Sequence, residues 1–284
     1  MDWLQALILG IIQGLTEFLP ISSSGHLIIG KEILGLEASD NIAFETVVHC
    51  ATVLSTITIL RKEIAILLLK LFKLEWNPET KYISMILLSM IPVMIVGLFF
   101  KKQVESLFGE GLTLVGAMLL VTAVLLAFSS LKNSKIKKLK NSKSLIFKSL
   151  NFKPLNNNSI SWGSAFLMGI AQAVAVLPGL SRSGITIATG LLAGVKKEEV
   201  AKFSFLMVLI PILGETFLGA IKGDFSAAVS GIPTRLLLIG FFAAYICGCF
   251  ACKFMIELVK RTNLLWFALY CGMVGISALI YAVW

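Results

Sequence analysis

Two stretches decide the fold: Gly10-Ile-Ile-Gln-Gly-Leu-Thr-Glu-Phe-Leu-Pro-Ile-Ser-Ser-Ser-Gly25 and Gly169-Ile-Ala-Gln-Ala-Val-Ala-Val-Leu-Pro-Gly-Leu-Ser-Arg-Ser-Gly184. At an offset of 159, Gly10, Ile11, Gln13, Ser22, Ser24 and Gly25 meet Gly169, Ile170, Gln172, Ser181, Ser183 and Gly184, and both copies carry Leu-Pro displaced by one. Each lies in a longer apolar stretch, 3 to 30 and 162 to 194, broken midway by Pro and by a Ser and Gly cluster. Matched interrupted segments in two halves of a chain are an architectural signature of internally repeated membrane proteins. Irregular backbone is not tolerated against lipid, so such breaks must be buried in protein or line a wet cavity. Function is therefore expected there, on two discontinuous or re-entrant helix pairs.

The rest of the chain supports a membrane reading. Of 284 residues, 57% are hydrophobic and 14% charged, with mean hydropathy +0.90. Soluble domains carry about 25% charged residues, so too little polar surface exists here to coat one. Six further apolar segments, roughly 44 to 60, 82 to 100, 112 to 130, 203 to 221, 235 to 255 and 263 to 283, are long enough to cross a bilayer. Soluble enzymes and nucleic-acid readers are excluded: the basic stretch of the chain sits between apolar segments and carries no folded recognition motif. The expected class is all-α integral membrane, six spans plus two broken pairs.

Charge sets the orientation. From Ser129 to Ile160 there are eight Lys and no Asp or Glu, which reads as a polar cytoplasmic linker. If each broken stretch enters and leaves on one side, 19 basic residues fall inside and five outside (Lys31, Lys101, Lys102, Lys222 and Arg235), with Arg182 left in the membrane. Both termini then face outward. The organisation expected is a first repeat over 1 to 130, a linker over 131 to 160 and a second repeat over 161 to 284. Each copy is followed by three spans, an odd number, so the second half should sit upside down relative to the first. Met1 to Gly10 has no cationic start and no small-residue cleavage site, so it is expected to belong to the mature protein.

The two breaks carry the polar residues. The first holds Gln13, Glu17, Ser22, Ser23, Ser24 and His26; the second holds Ser181, Arg182, Ser183 and Thr186. Gln13 and Glu17 are four apart and share a helix face. Ionisable groups at membrane depth need a partner or a wet site, and are functional by default. A Glu17 to Arg182 ion pair that only joins the halves is the plain structural alternative. Ser and Gly turns opening onto helices offer amides and hydroxyls to phosphate oxygens, and an Arg adds a bidentate fork. His26 suits proton transfer, while Glu17 suits a base or a ligand for a divalent cation. These are the parts of phosphoryl transfer to water.

Gln13 to His26 and Pro178-Gly-Leu-Ser-Arg-Ser-Gly-Ile-Thr186 closely resemble the two signature motifs of the bacterial undecaprenyl-diphosphatase (bacitracin-resistance) family. The likeness extends along the chain through Phe44-Glu45, Met90-Ile-Pro92, Phe203-Ser-Phe205 and Pro211. The resemblance implies a hydrolase that converts undecaprenyl diphosphate to the monophosphate carrier of wall polymers, working in the bacterial cytoplasmic membrane. Its site would face the outer side, helped by a divalent cation, magnesium or calcium. By position, Glu17, Ser23, His26 and Arg182 match the catalytic group, with Gln13 in support and Glu17 the metal candidate. Ser22, Ser24, Gly179, Ser181, Arg182, Ser183 and Thr186 match the phosphate-binding group. Whether Ser23 or His26 attacks phosphorus, or either positions water, the motifs leave open.

Some features depart from that pattern or are bland. Asn158 and Ser159 stand where some members carry an Asp, and His49 stands where some carry Gln. His49 reads as a polar residue buried by a hydrogen bond or as a second titrating group. Cys247, Cys249 and Cys252 lie in an apolar span without His or acid beside them and read as packing. The rival function is a transporter or flippase of a phosphorylated polyprenyl lipid, since inverted repeats with a midplane site are a transporter architecture. The partners expected are a polyprenyl diphosphate lipid and the bilayer, not nucleic acid. A homodimer is left open.

Overall fold

The computed structural model describes residues 1–36, 42–73, 75–107, 111–147, 159–223 and 225–283. Among them the chain is helical, without strands: α1 (Trp3–Thr16), α2 (Ser23–Ile33), α3 (Ile42–Ile59), α4 (Arg61–Leu71), α5 (Pro78–Phe99), α6 (Lys101–Leu107), α7 (Gly111–Phe147), α8 (Trp162–Val174), α9 (Arg182–Leu192), α10 (Lys197–Met207), α11 (Leu209–Lys222), α12 (Ala227–Ser230), α13 (Thr234–Arg261) and α14 (Leu265–Val283).

The repeat seen in the sequence recurs as helix boundaries. α1 and α8 begin 159 residues apart at Trp3 and Trp162, and α2 and α9 coincide at the same offset at both ends. Each first helix opens with a capping box: Asp2 with Gln5, and Ser161 with Ser164. These reciprocal bonds satisfy amides that have no intrahelical carbonyl. Each second helix is N-capped by a serine, Ser22 or Ser181, whose hydroxyl accepts from the amide of Gly25 or Gly184. The breaks have a common cause. Pro20 and Pro178 lack an N–H, and the residue before a proline is driven out of the helical region.

Five helices are long and apolar enough to cross a membrane: Pro78–Phe99, Gly111–Lys132, Lys197–Lys222, Thr234–Val259 and Leu265–Val283. The remaining expected span, 44 to 60, forms α3 but groups by length with the shorter apolar helices, Trp3–Thr16 and Trp162–Val174. The fourth span is split at Val208, because Pro211 offers no amide to the Met207 carbonyl. Pro92, by contrast, sits inside an unbroken α5. The lysine-rich stretch opens as a helical continuation of α7 as far as Phe147; Lys148, Lys153 and Asn158 lie outside the described residues. Lys31, counted among the outer loop charges, is instead 1% exposed and paired with Glu45, Nζ to Oε1 at 2.5 Å.

Glycines bring the helices close. A Cβ at Gly10 would stand 2.5 Å from the Gly240 carbonyl oxygen on α13, and one at Gly169 would stand 2.3 Å from that of Ser89 on α5. α1 thus crosses a helix of the second half and α8 a helix of the first, through equivalent glycines. Gly116 and Gly275 face each other between α7 and α14 in the same way. Small residues allow such approach where no hydrophobic drive separates helix from lipid. The halves interlock, and both breaks are enclosed between them.

Candidate active site

Residues 22 to 24 and 181 to 183 bring the first turns of α2 and α9 to one cleft, with accessible volume of about 50 Å³. The breaks are locked to one another reciprocally. The Gly179 amide approaches Ser24 Oγ at 3.5 Å, and Ser183 Oγ donates to the Leu19 carbonyl at 2.9 Å. The first amides of an α-helix have no intrahelical acceptor, and the helix dipole makes that end favourable to anions. Two such ends and a guanidinium on one small cleft favour a multiply charged anion.

Two backbone features hold this geometry. Ser22 has φ of 70°, and among the described residues it is the only non-glycine with positive φ. Strained backbone persists where the surroundings over-determine it, and here His26 does so: its Nδ1 lies 2.7 Å from the Ser22 carbonyl. Gly179 has φ of 87°, and a Cβ there would meet the Val115 Cα at 2.8 Å. Its glycine is required by conformation and by space together.

Glu17, the C-cap of α1, is the centre of the polar network. Its Oε2 accepts from Ser23 Oγ at 2.6 Å and from Gln13 Nε2 at 2.8 Å. His49 Nε2 stands 3.6 Å from the same oxygen, and Arg182 Nη1 stands 3.7 Å from Oε1. The Arg182 contact is an ion pair too long for a hydrogen bond, and Nη1 is buried without a hydrogen-bond partner. The fork is left with donors to spend on another acceptor.

The remaining candidates divide. Ser22, Ser23, Ser24, Ser181, Arg182 and Ser183 line the cleft with Glu17. Thr186 stands behind it, its hydroxyl 2.6 Å from that of Ser204, which does line it. Gln13 supports from below, fully buried, with its Oε1 unpartnered. His26 is not in the lining. Its Nε2 meets the Tyr270 hydroxyl at 2.9 Å, and the two rings stack at 5.6 Å. Its ring nitrogens thus meet the Ser22 carbonyl at the cleft edge and the Tyr270 hydroxyl.

Sequence reading underrated α3. His49, Thr52 and Thr56 line the cleft from that helix. They fall at i, i+3 and i+7, which is one face of the helix, and that spacing is the signal that could have found them. His49 Nδ1 lies 2.8 Å from the Glu45 carbonyl, one turn back, which aims Nε2 at Glu17. The cysteines of α13 are free thiols and are not among the residues that line the cleft.

A divalent cation meets a sparse donor set. Among the described residues no three His, Cys, Asp or Glu gather as a metal cage, and Glu17 is the only carboxylate on the cleft wall. A single carboxylate would suit only a hard cation carried largely by phosphate oxygens, as magnesium commonly is.

The chain matches the family described as bacitracin resistance protein BacA over residues 6–277. A protein of Bacteroides fragilis named undecaprenyl-diphosphatase is 52% identical over 281 residues, covering 99% of this chain and 98% of its own. Proteins of the same name from Christiangramia forsetii and Carboxydothermus hydrogenoformans are 43% and 36% identical, each covering 99% of this chain and 99% and 97% of their own. Similarity along nearly the whole length, in a chain whose interrupted helix pairs meet at a cleft lined by Ser and Arg, shows the family: the chain belongs to the bacitracin resistance protein BacA family.

Proposed function

We propose that the cleft hydrolyses undecaprenyl diphosphate to undecaprenyl phosphate and inorganic phosphate. The observation that carries the reading is Glu17 Oε2 receiving the Ser23 hydroxyl at 2.6 Å in a cleft whose other wall presents Arg182 Nη1 without a hydrogen-bond partner. The full-length relatives named undecaprenyl-diphosphatase support the substrate.

In this reading Arg182, the α2 and α9 amides and the hydroxyls of Ser24, Ser181 and Ser183 grip the diphosphate and stabilise charge as the bond breaks. Ser23 attacks the terminal phosphorus while its proton passes to Glu17. The bond from that phosphorus to the bridging oxygen breaks, and its electron pair leaves with the lipid monophosphate. Water then attacks the phosphoserine phosphorus as the bond from phosphorus to Ser23 Oγ breaks; Oγ takes back the proton held by Glu17, the proton lost by the water passes through Glu17 to solvent, and inorganic phosphate leaves. Held by Glu17 and the phosphate oxygens, magnesium or calcium would neutralise diphosphate charge. Thr186 and Ser204 brace the Arg182 turn. His26 fixes the Ser22 turn rather than meeting phosphorus.

The finer architecture belongs to the same reading. In this reading α3 also crosses, so that three spans follow each break, the second repeat lies upside down relative to the first, and the breaks enter from opposite faces and meet in the membrane. The excess of lysine between the halves puts that linker in the cytoplasm, both termini outside and the cleft toward the outer face of the bacterial cytoplasmic membrane.

The test is phosphate release from a prenyl diphosphate by purified protein in detergent, with alanine variants at 17, 23, 26 and 182 and with acid-quenched labelled substrate. Loss at 17, 23 and 182, and label retained on serine in the parent, support the scheme. Full turnover by S23A would remove Ser23 as nucleophile, and turnover untouched by R182A would remove the cleft.

A further inference from the structure

We propose that α4 is an in-plane interfacial helix that docks on the anionic headgroup surface of the bilayer. α4 joins α3 to α5, yet none of its residues is buried. Its 11 residues extend about 16 Å at 1.5 Å per residue, half the hydrocarbon thickness of about 30 Å. It cannot be a span, and its charges hold it at the water boundary: Arg61, Lys62, Lys70 and Lys73 lie in or beside it, against Glu63.

At about 100° per residue the helix divides into three faces. Ile64 and Leu67 point inward and pack on the main hydrophobic core. Leu68, Leu69 and Phe72 form a second apolar face that is exposed, and Trp76 just beyond the helix is exposed as well. On the third side exposed Ile66 lies among Lys62, Lys70 and Lys73, with Glu63 beside Lys70, so this side carries a net positive charge next to the apolar one. An isolated apolar stripe in water would be unfavourable, whereas an acyl boundary takes Leu, Phe and Trp while adjacent lysines reach lipid phosphates. The cationic face argues for anionic headgroups rather than a second copy of the chain, whose α4 would present the same charge. Since α5 and α7 are each long enough to cross, α4 lies on the same side as the lysine-rich end of α7, where a negative leaflet would be met twice.

The test uses full-length protein in nanodiscs, with Trp3, Trp162, Trp266 and Trp284 changed to Phe so that Trp76 reports alone. Brominated phosphatidylglycerol should quench Trp76 about twofold more than brominated phosphatidylcholine at equal mole fraction, and the excess should vanish in K62Q/K70Q/K73Q and at high salt. Quenching by both lipids alike would overturn the anionic preference. Quenching by neither would place α4 in water or against another copy, and would overturn docking altogether. The unmodified chain gives a second readout: native mass spectrometry of detergent-extracted protein should retain phosphatidylglycerol that the triple variant loses, and equal retention would overturn the proposal. None of these residues lines the phosphate cleft, so phosphate release by the triple variant checks its fold.

Discussion

Ser23 Oγ and Glu17 Oε2 lie 2.6 Å apart across a helix break, the serine in the first turn of α2 and the glutamate capping the end of α1. A contact this short between hydroxyl and carboxylate is a charge-assisted bond. It makes the two side chains one unit. We therefore expect E17Q and S23A each to lower kcat for phosphate release by about 10²-fold or more, and the double variant to fall little further than the worse single. Multiplying losses in E17Q/S23A would show that the two act independently.

Arg182 offers a different test. Its side chain is 33% exposed, its Nη1 has no hydrogen-bond partner, and the nearest carboxylate oxygen is 3.7 Å away. Loss of the guanidinium should therefore cost little folding stability, because no hydrogen-bonded ion pair is broken. Its absence should be felt at the phosphates instead, by about 10² in kcat/KM for R182A. Lysine keeps the charge but not the planar fork, so R182K should recover only part of the loss. An R182A protein that melts far below the parent, with normal turnover per folded molecule, would make Arg182 a structural residue.

His49 shares the Glu17 oxygen with Ser23 while its other nitrogen is tied to the Glu45 carbonyl. Its 3.6 Å separation from that oxygen is a weak contact. The expected effect of H49A is accordingly modest, about three- to tenfold in kcat, a contribution near 1 kcal/mol. Phosphate release equal to the parent would mean that the imidazole merely fills space on α3.

How much of this was legible follows from the kind of signal each residue leaves. The breaks declared themselves because Ser and Gly clusters interrupt two apolar runs at one offset, with Pro20 and Pro178 displaced from it by a single residue. Glu17 and Arg182 stood out because a charge in an apolar run is costly and rarely idle. His26 stood out equally, but sequence cannot give the partners of a ring: Tyr270, 244 residues away, meets its Nε2. Lys31 was read as a loop charge because its partner, Glu45, is supplied by tertiary folding. The α3 face of His49, Thr52 and Thr56 was written in the spacing, yet hydroxyls on apolar helices usually bond their own backbone. Thr52 and Thr56 do so too, to the carbonyls of His49 and Thr52.

The glycines separate conformational strain from crowding. Gly179 and Gly35 both have positive φ, 87° and 68°, but a Cβ at Gly179 would meet the Val115 Cα and carbonyl oxygen at 2.8 Å, while one at Gly35 would find open space within 4 Å. Alanine at Gly35 should carry only the left-handed backbone penalty of about 1 kcal/mol. At Gly179 the same penalty is joined by overpacking of about 1–3 kcal/mol, and the strain falls on the turn that leads into Ser181 and Arg182. The thermal midpoint in detergent should drop more for G179A than for G35A, and only G179A should lose phosphate release when equal amounts of folded protein are compared. If the two variants melt and turn over alike, α7 yields at Val115, and the tight seat of the second break against that helix is not what holds the anion site in place.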